Sequence, residues 1–100
     1  MKLVLSNEVI TWFEKEMNIK PGDAIRFFVR YGGCDSFQKG FSLGVMKDEP
    51  NDVAVQQVIN GVTYYIEEKD LWYFEDHDLH VTYNEKWDEP TYEYVKSIQS

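Results

Sequence analysis

Apolar and polar positions follow two different rhythms along this chain. After Ser6, residues Val9, Ile10, Phe13 and Met17 recur at helical spacing, with Glu8, Glu14, Lys15 and Glu16 on the other side. This spacing predicts an amphipathic helix lying on a core. Ser6 suits its N-cap, because a serine hydroxyl accepts from an otherwise unpaired first-turn N–H. The short Leu3-Val4-Leu5 segment before it reads as a strand that pins the N-terminal end. Past the turn Pro21-Gly22-Asp23 the period drops to two. Ile25, Phe27, Val29 and Tyr31 then share one face and Ala24, Arg26, Phe28 and Arg30 the other, which predicts a half-buried strand. A second alternating run places Phe37, Lys39, Phe41, Leu43 and Val45 together and leaves small Gly40, Ser42 and Gly44 opposite, where another backbone can approach.

Downstream, Val53–Ile59 and Val62–Ile66 flank Asn60-Gly61, the pair best suited to a two-residue hairpin because both central positions need positive φ. Asp70-Leu71-Trp72-Tyr73-Phe74-Glu75 reads as a short helix or as an aromatic extension of a strand. Leu79, Val81 and Tyr83 alternate with His80 and Thr82 to give a last strand. From Trp87 to Ser100 two readings stay open: Tyr92, Val95 and Ile98 have helical spacing, while Glu89-Pro90 marks a break before them. The pattern predicts an α+β, mainly β chain with one firm helix, forming a single domain over residues 1–100.

Composition narrows the function classes. With 43% hydrophobic and 16% aromatic residues, 100 residues suffice for one packed core without disulfides or a structural metal. The formal charge of −8 is uneven: residues 67–100 hold ten acids and three bases. Such a balance disfavours nucleic-acid and anionic-membrane partners, which need a basic face to displace counterions. The one cysteine excludes an intrachain disulfide framework and a zinc site built from several thiolates. No charged leader precedes a long apolar run, so neither a signal peptide nor a membrane span is expected, and a free thiol suits a cytoplasmic location.

Candidate chemistry concentrates at a few positions. Cys34 follows Gly32-Gly33, where the backbone can turn tightly and its N–H groups can favour the thiolate, although adjacent Asp35 opposes this. The plainer reading is a small residue filling a turn pocket. His77 and His80 lie in Asp76-His77-Asp78-Leu79-His80, but residues three apart on a strand point to opposite faces unless a turn brings them together. The carboxylates of the last third, Glu67, Glu68, Asp70, Glu75, Asp76, Asp78, Glu85, Asp88, Glu89 and Glu93, match no metal-loop spacing and read as a solvated surface.

The segment Gly32-Gly33-Cys34-Asp35-Ser36-Phe37-Gln38-Lys39-Gly40-Phe41-Ser42-Leu43 resembles the HesB/IscA-like family of A-type iron-sulfur cluster carriers. The leading helix, the strand before the motif and the Asn60-Gly61 hairpin follow in the family's order, so the resemblance covers about residues 1–84. It implies a mixed β-sandwich or pseudobarrel with the N-terminal helix packed outside. In that family the cysteine matching Cys34 acts with a C-terminal Cys-Gly-Cys, usually across a dimer, and this chain has no such C-terminal cysteines. Two thiolates per homodimer fall short of the four a cluster normally takes, so iron or a cluster would need His77, His80, carboxylates or external thiols beside Cys34.

The reading that follows is a non-enzymatic HesB/IscA-like protein with a role in iron-sulfur cluster assembly or iron handling, Cys34 being its one inherited ligand. The rival is a cluster-free interaction module whose acidic, aromatic last third binds a protein partner through Trp72, Tyr73, Trp87 and Tyr92. A thiol enzyme using Cys34 ranks last, because no base can be assigned to it.

Overall fold

A computed structural model describes residues 1–32 and 37–96. Its elements are β1 (Leu3–Leu5), α1 (Asn7–Glu16), β2 (Ala24–Tyr31), β3 (Phe41–Lys47), β4 (Val53–Ile59), β5 (Val62–Glu67), a 3-10 helix (Glu68–Phe74), β6 (His77–Asn84) and β7 (Glu89–Lys96). The strands form two mixed sheets, ordered β1-β6-β7 and β3-β2-β5-β4. In the first, β1 runs parallel to β6 and β7 antiparallel. In the second, β2 runs parallel to β5, and hairpin partners complete each side. The mainly β, α+β architecture expected from the two rhythms is present.

The apolar faces of both sheets meet in one core. Leu3, Leu79 and Val81 come from the three-stranded sheet, and Ile25, Phe27, Leu43, Val62, Tyr64 and Ile66 from the four-stranded one. Helix α1 contributes Val9 and Phe13 to the same cluster. Its Ser6 cap accepts from the Val9 N–H at 3.2 Å, a bond worth about 1 kcal/mol. The ring of Phe13 makes the larger contribution, lying 5.9 Å from Phe27 and 6.2 Å from Tyr64.

The Asn60-Gly61 turn forms as expected, with φ of 54° and 77°, and Ile59 pairs with Val62 across it. The carbonyl of Gly61 accepts from the Gly22 N–H at 2.8 Å, so the Pro21-Gly22-Asp23 turn sits against the hairpin.

Three expectations change. The second alternating run begins as a strand only at Phe41, because Phe37–Gly40 turn back and Gly32 N–H bonds to the Gly40 carbonyl at 2.8 Å. Phe37 leaves the line of the strand and stacks on Tyr94 at 4.1 Å. Gly44 accommodates a side chain rather than a backbone: a Cβ there would lie 2.5 Å from Cζ of Phe28, its cross-strand partner. The open C-terminal stretch is a strand as far as Lys96, and Ile98 lies outside the described residues. Hydrogen bonding to β6 decides this in favour of period two, and Tyr92 and Tyr94 pack on the core.

Strand β5 is buried on both faces. Val62, Tyr64 and Ile66 point into the core, while Tyr65 and Glu67 are buried on the other side. The Tyr64 hydroxyl has no hydrogen-bond partner among the described residues. Burial foremost, and then the charge of Glu14, push its pKa up to about 12. Tyr65 also rises to about 12, through burial first and then Asp48 and Glu67. An unfolded tyrosine ionises near pH 10. The stability these phenols contribute is therefore full below about pH 10 and lost as pH rises towards 12. Tyr64→Phe is expected to flatten that alkaline loss and to leave neutral-pH stability equal or higher, since an unpaired buried hydroxyl is removed. Urea midpoints at pH 7 and pH 11 check this, and an unchanged alkaline loss would count against it.

Candidate functional site

The 3-10 helix owes its position to buried charge. Its three-residue repeat places Asp70 and Tyr73 on one inward face and leaves Trp72 outward. Asp70 Oδ2 accepts from Arg26 Nη2 at 2.9 Å, and Arg26 Nη1 reaches Asp48 at 3.5 Å. Burial alone would lower the Arg26 pKa, but Asp70 foremost, together with Asp48 and Glu67, outweighs it and holds the guanidinium above its ordinary value. At the helix start, Glu67 accepts the N–H groups of Asn51 and Asp52 at 3.0 and 2.9 Å. At its end, Gln38 donates to the Tyr73 carbonyl at 3.2 Å.

Glu67 and Asp70 therefore depart from the solvated surface expected of the acidic last third. Both are buried, because the Asp48–Asp52 loop and the 3-10 helix cover the outer face of β5. The distant pairing of Arg26 with Asp70 left no local signal in the sequence.

This bracing presents an exposed aromatic surface. Tyr31 is 87% exposed and Trp72 54% exposed, with exposed Leu71 preceding Trp72 in the 3-10 helix. Half-buried Phe41 bridges the two, its ring 5.2 Å from Tyr31 and 5.3 Å from Trp72. Behind them stands fully buried Tyr73, 5.9 Å from Trp72. On its other side Trp72 joins Met1, Leu71 and Phe74 in lining a groove of about 330 Å³, rimmed by Glu75 and Asp76. Those two acids have φ of 45° and 62°, in the left-handed region that side chains disfavour. Strain of this kind persists where surrounding contacts enforce it and gathers at functional surfaces.

Of the residues expected as partner anchors, Trp72 and Trp87 are exposed, whereas Tyr73 is core and Tyr92 half-buried against Phe27. Alternation along β2 puts Tyr31 on the same face as Ile25, Phe27 and Val29. Tyr31 projects into solvent because the strand outruns the core there, and exposed Arg30 and Gly32 on either side are the local hint.

The expected ligands do not come together. Cys34 lies outside the described residues. His77 and His80 both sit on β6, where period two puts His77 on the side of Leu79 and His80 on the opposite side. Nδ1 of His77 lies 3.0 Å from the Phe74 carbonyl and 2.9 Å from that of Glu75. Both are acceptors, so Nδ1 carries the proton and closes the end of the 3-10 helix. His80 pairs in register with Val4 and Glu93. Among the described residues no three His, Cys, Asp or Glu side chains are grouped to hold a metal ion. Nor is any helix among them long and apolar enough to cross a membrane.

Comparison with known proteins redirects the functional reading. No family model matches the chain. A Bacillus subtilis protein named pyruvate dehydrogenase inhibitor is 50% identical over 94 residues, covering 94% of this chain and 99% of its own length. An uncharacterized protein of Staphylococcus saprophyticus is 41% identical over 95 residues, and one of Staphylococcus aureus 36%, each match covering 92% of this chain. These relatives overturn the resemblance to HesB/IscA-like cluster carriers, and with it the role in iron-sulfur assembly or iron handling. That resemblance reached over about residues 1–84 with its most specific part at residues 32–43 and lacked the family's C-terminal cysteines, whereas half of all aligned positions match the inhibitor over 94% of the chain. The chain belongs to the family of the Bacillus subtilis pyruvate dehydrogenase inhibitor.

Proposed function

We propose that this chain is a non-catalytic regulator that docks on pyruvate dehydrogenase, the enzyme named for its relative, and lowers its activity. The supporting observation is the aromatic surface in which exposed Leu71 and Trp72 of the braced 3-10 helix meet half-buried Phe41 of β3 and exposed Tyr31 of β2. Tryptophan and tyrosine dominate interface energetics because each buries a large area at little cost in side-chain entropy. A support fixed by Arg26 and Asp70 lowers the ordering cost further. Inhibition follows from occupancy of the enzyme surface, so no covalent step or cofactor enters.

Trp72→Ala is expected to weaken inhibition about 30-fold, the loss typical of a central anchor worth about 2 kcal/mol. The side chain is half exposed, so the fold should persist. Titrating purified pyruvate dehydrogenase with the parent and the variant, with circular dichroism as the folding control, measures this. Equal inhibition by the two proteins, or none by the parent at micromolar concentration, would refute the proposal.

A further inference from the structure

A second exposed tryptophan occupies a separate place in the fold. Trp87 is 65% exposed in the turn between β6 and β7, at the far end of β6 from the 3-10 helix. The eight residues of β6 separate the two tryptophan-bearing ends by roughly 25 Å. The turn is tightly held. Asn84 Oδ1 accepts from the backbone N–H groups of Lys86 and Trp87 at 3.0 and 3.2 Å. The Tyr83 hydroxyl donates to Asp88 Oδ1 at 2.6 Å, and Asp88 has a φ of 50°. An apolar ring on so constrained a tip loses little freedom when it is covered.

The surroundings specify the covering partner. Between this turn and α1 lies a depression of about 390 Å³, bordered by Glu8, Glu16, Glu85 and Asp88 against the single cation Lys15. The Trp87 ring already receives an ammonium: Lys86 Nζ stands 5.4 Å from its centroid. Rings of this kind attract lysine and arginine through the negative face of the π system. Charge and ring thus favour the same kind of partner, a basic one.

We infer that the β6–β7 turn and the outer face of α1 form a second docking surface, and that its occupant is a basic, partly apolar segment of another protein. Lysine or arginine side chains of that segment enter the depression and lie on the Trp87 ring, with its apolar residues packing against the ring's edge. This site is distinct from the Trp72 surface, and its test contains no dehydrogenase, so its outcome leaves the proposed function to be judged separately.

The probe is a short synthetic peptide alternating lysine and leucine, titrated into the full chain and followed by amide and indole NMR shifts. Shifts are expected at the Trp87 indole N–H, at residues 84–89 and on α1. Trp87→Ala should weaken binding at least about 10-fold. Glu16→Lys with Glu85→Lys should weaken it comparably, and raising the salt from 50 to 200 mM should weaken the parent's binding but hardly affect that of the charge-reversed variant. The inference is overturned by absent shifts, by shifts confined to the Trp72 surface, or by equal binding of a serine-leucine peptide. Trp87-dependent self-association without peptide would overturn it too, by assigning the surface to a second copy of the chain.

Discussion

Asp70→Ala is expected to lower stability by about 3 kcal/mol, the low end of the cost of breaking a buried ion pair. The variant leaves the Arg26 guanidinium largely out of water without its 2.9 Å partner. Asp48 remains 3.5 Å away but is half exposed, so it compensates only in part. The loss arises from the stranded charge more than from the missing attraction. Replacing both partners with apolar residues, Arg26→Met with Asp70→Leu, should therefore recover most of it. Urea denaturation of the two variants, with slopes compared to confirm a common unfolding reaction, separates these effects. A loss below about 1 kcal/mol in Asp70→Ala would show that the pair is effectively solvated. The same variant should also weaken inhibition of pyruvate dehydrogenase, because the helix that carries Trp72 loses its attachment to β2.

Phe13→Ala should be at least as costly, at about 3–5 kcal/mol. The ring is buried, meets Phe27 and Tyr64, and lies edge-on to Trp12 at 5.4 Å. Its removal opens a cavity where the helix joins both sheets. The cap bond from Ser6 is worth several-fold less, so α1 is held by packing rather than by its end. Thermal unfolding should show the loss as a reduced midpoint, by more than 10 °C for a chain of this size. A shift of only a few degrees would mean that neighbouring rings collapse into the space.

Features fixed by neighbours in the chain were legible in the sequence. The Ser6 cap, the apolar stripe of α1, the alternation of β2 and the Asn60-Gly61 turn each depend on residues a few positions apart. Features fixed by distant partners were not. Glu67 and Asp70 sit in an acidic stretch and look solvated until the Asp48–Asp52 loop and Arg26 are brought beside them. Tyr92 and Val95 fit a helix as well as a strand until β6 supplies the hydrogen bonds. Of the candidate surface, Trp72 was readable as an anchor, but the exposure of Tyr31 and the burial of Tyr73 depend on where the core ends and on a three-residue helical repeat. The HesB/IscA-like reading failed because, outside the short motif at residues 32–43, it rested on the order of elements, whereas the inhibitor matches residue by residue at 50% identity over 94% of the chain.

The pairing of β1 with β6 has a consequence for how the molecule assembles. Leu3 aligns with Leu79, and the Lys2 carbonyl accepts from the Leu79 N–H, so the first strand finds its partner only after most of the chain is in place. The β2–β5 pairing likewise joins segments separated by two intervening strands. Loop-closure entropy has to be met before such contacts reward it. These two parallel closures are therefore expected to slow folding towards the roughly millisecond-to-second scale of non-local β topologies. During synthesis, β1 waits unpaired until Leu79 has left the ribosome.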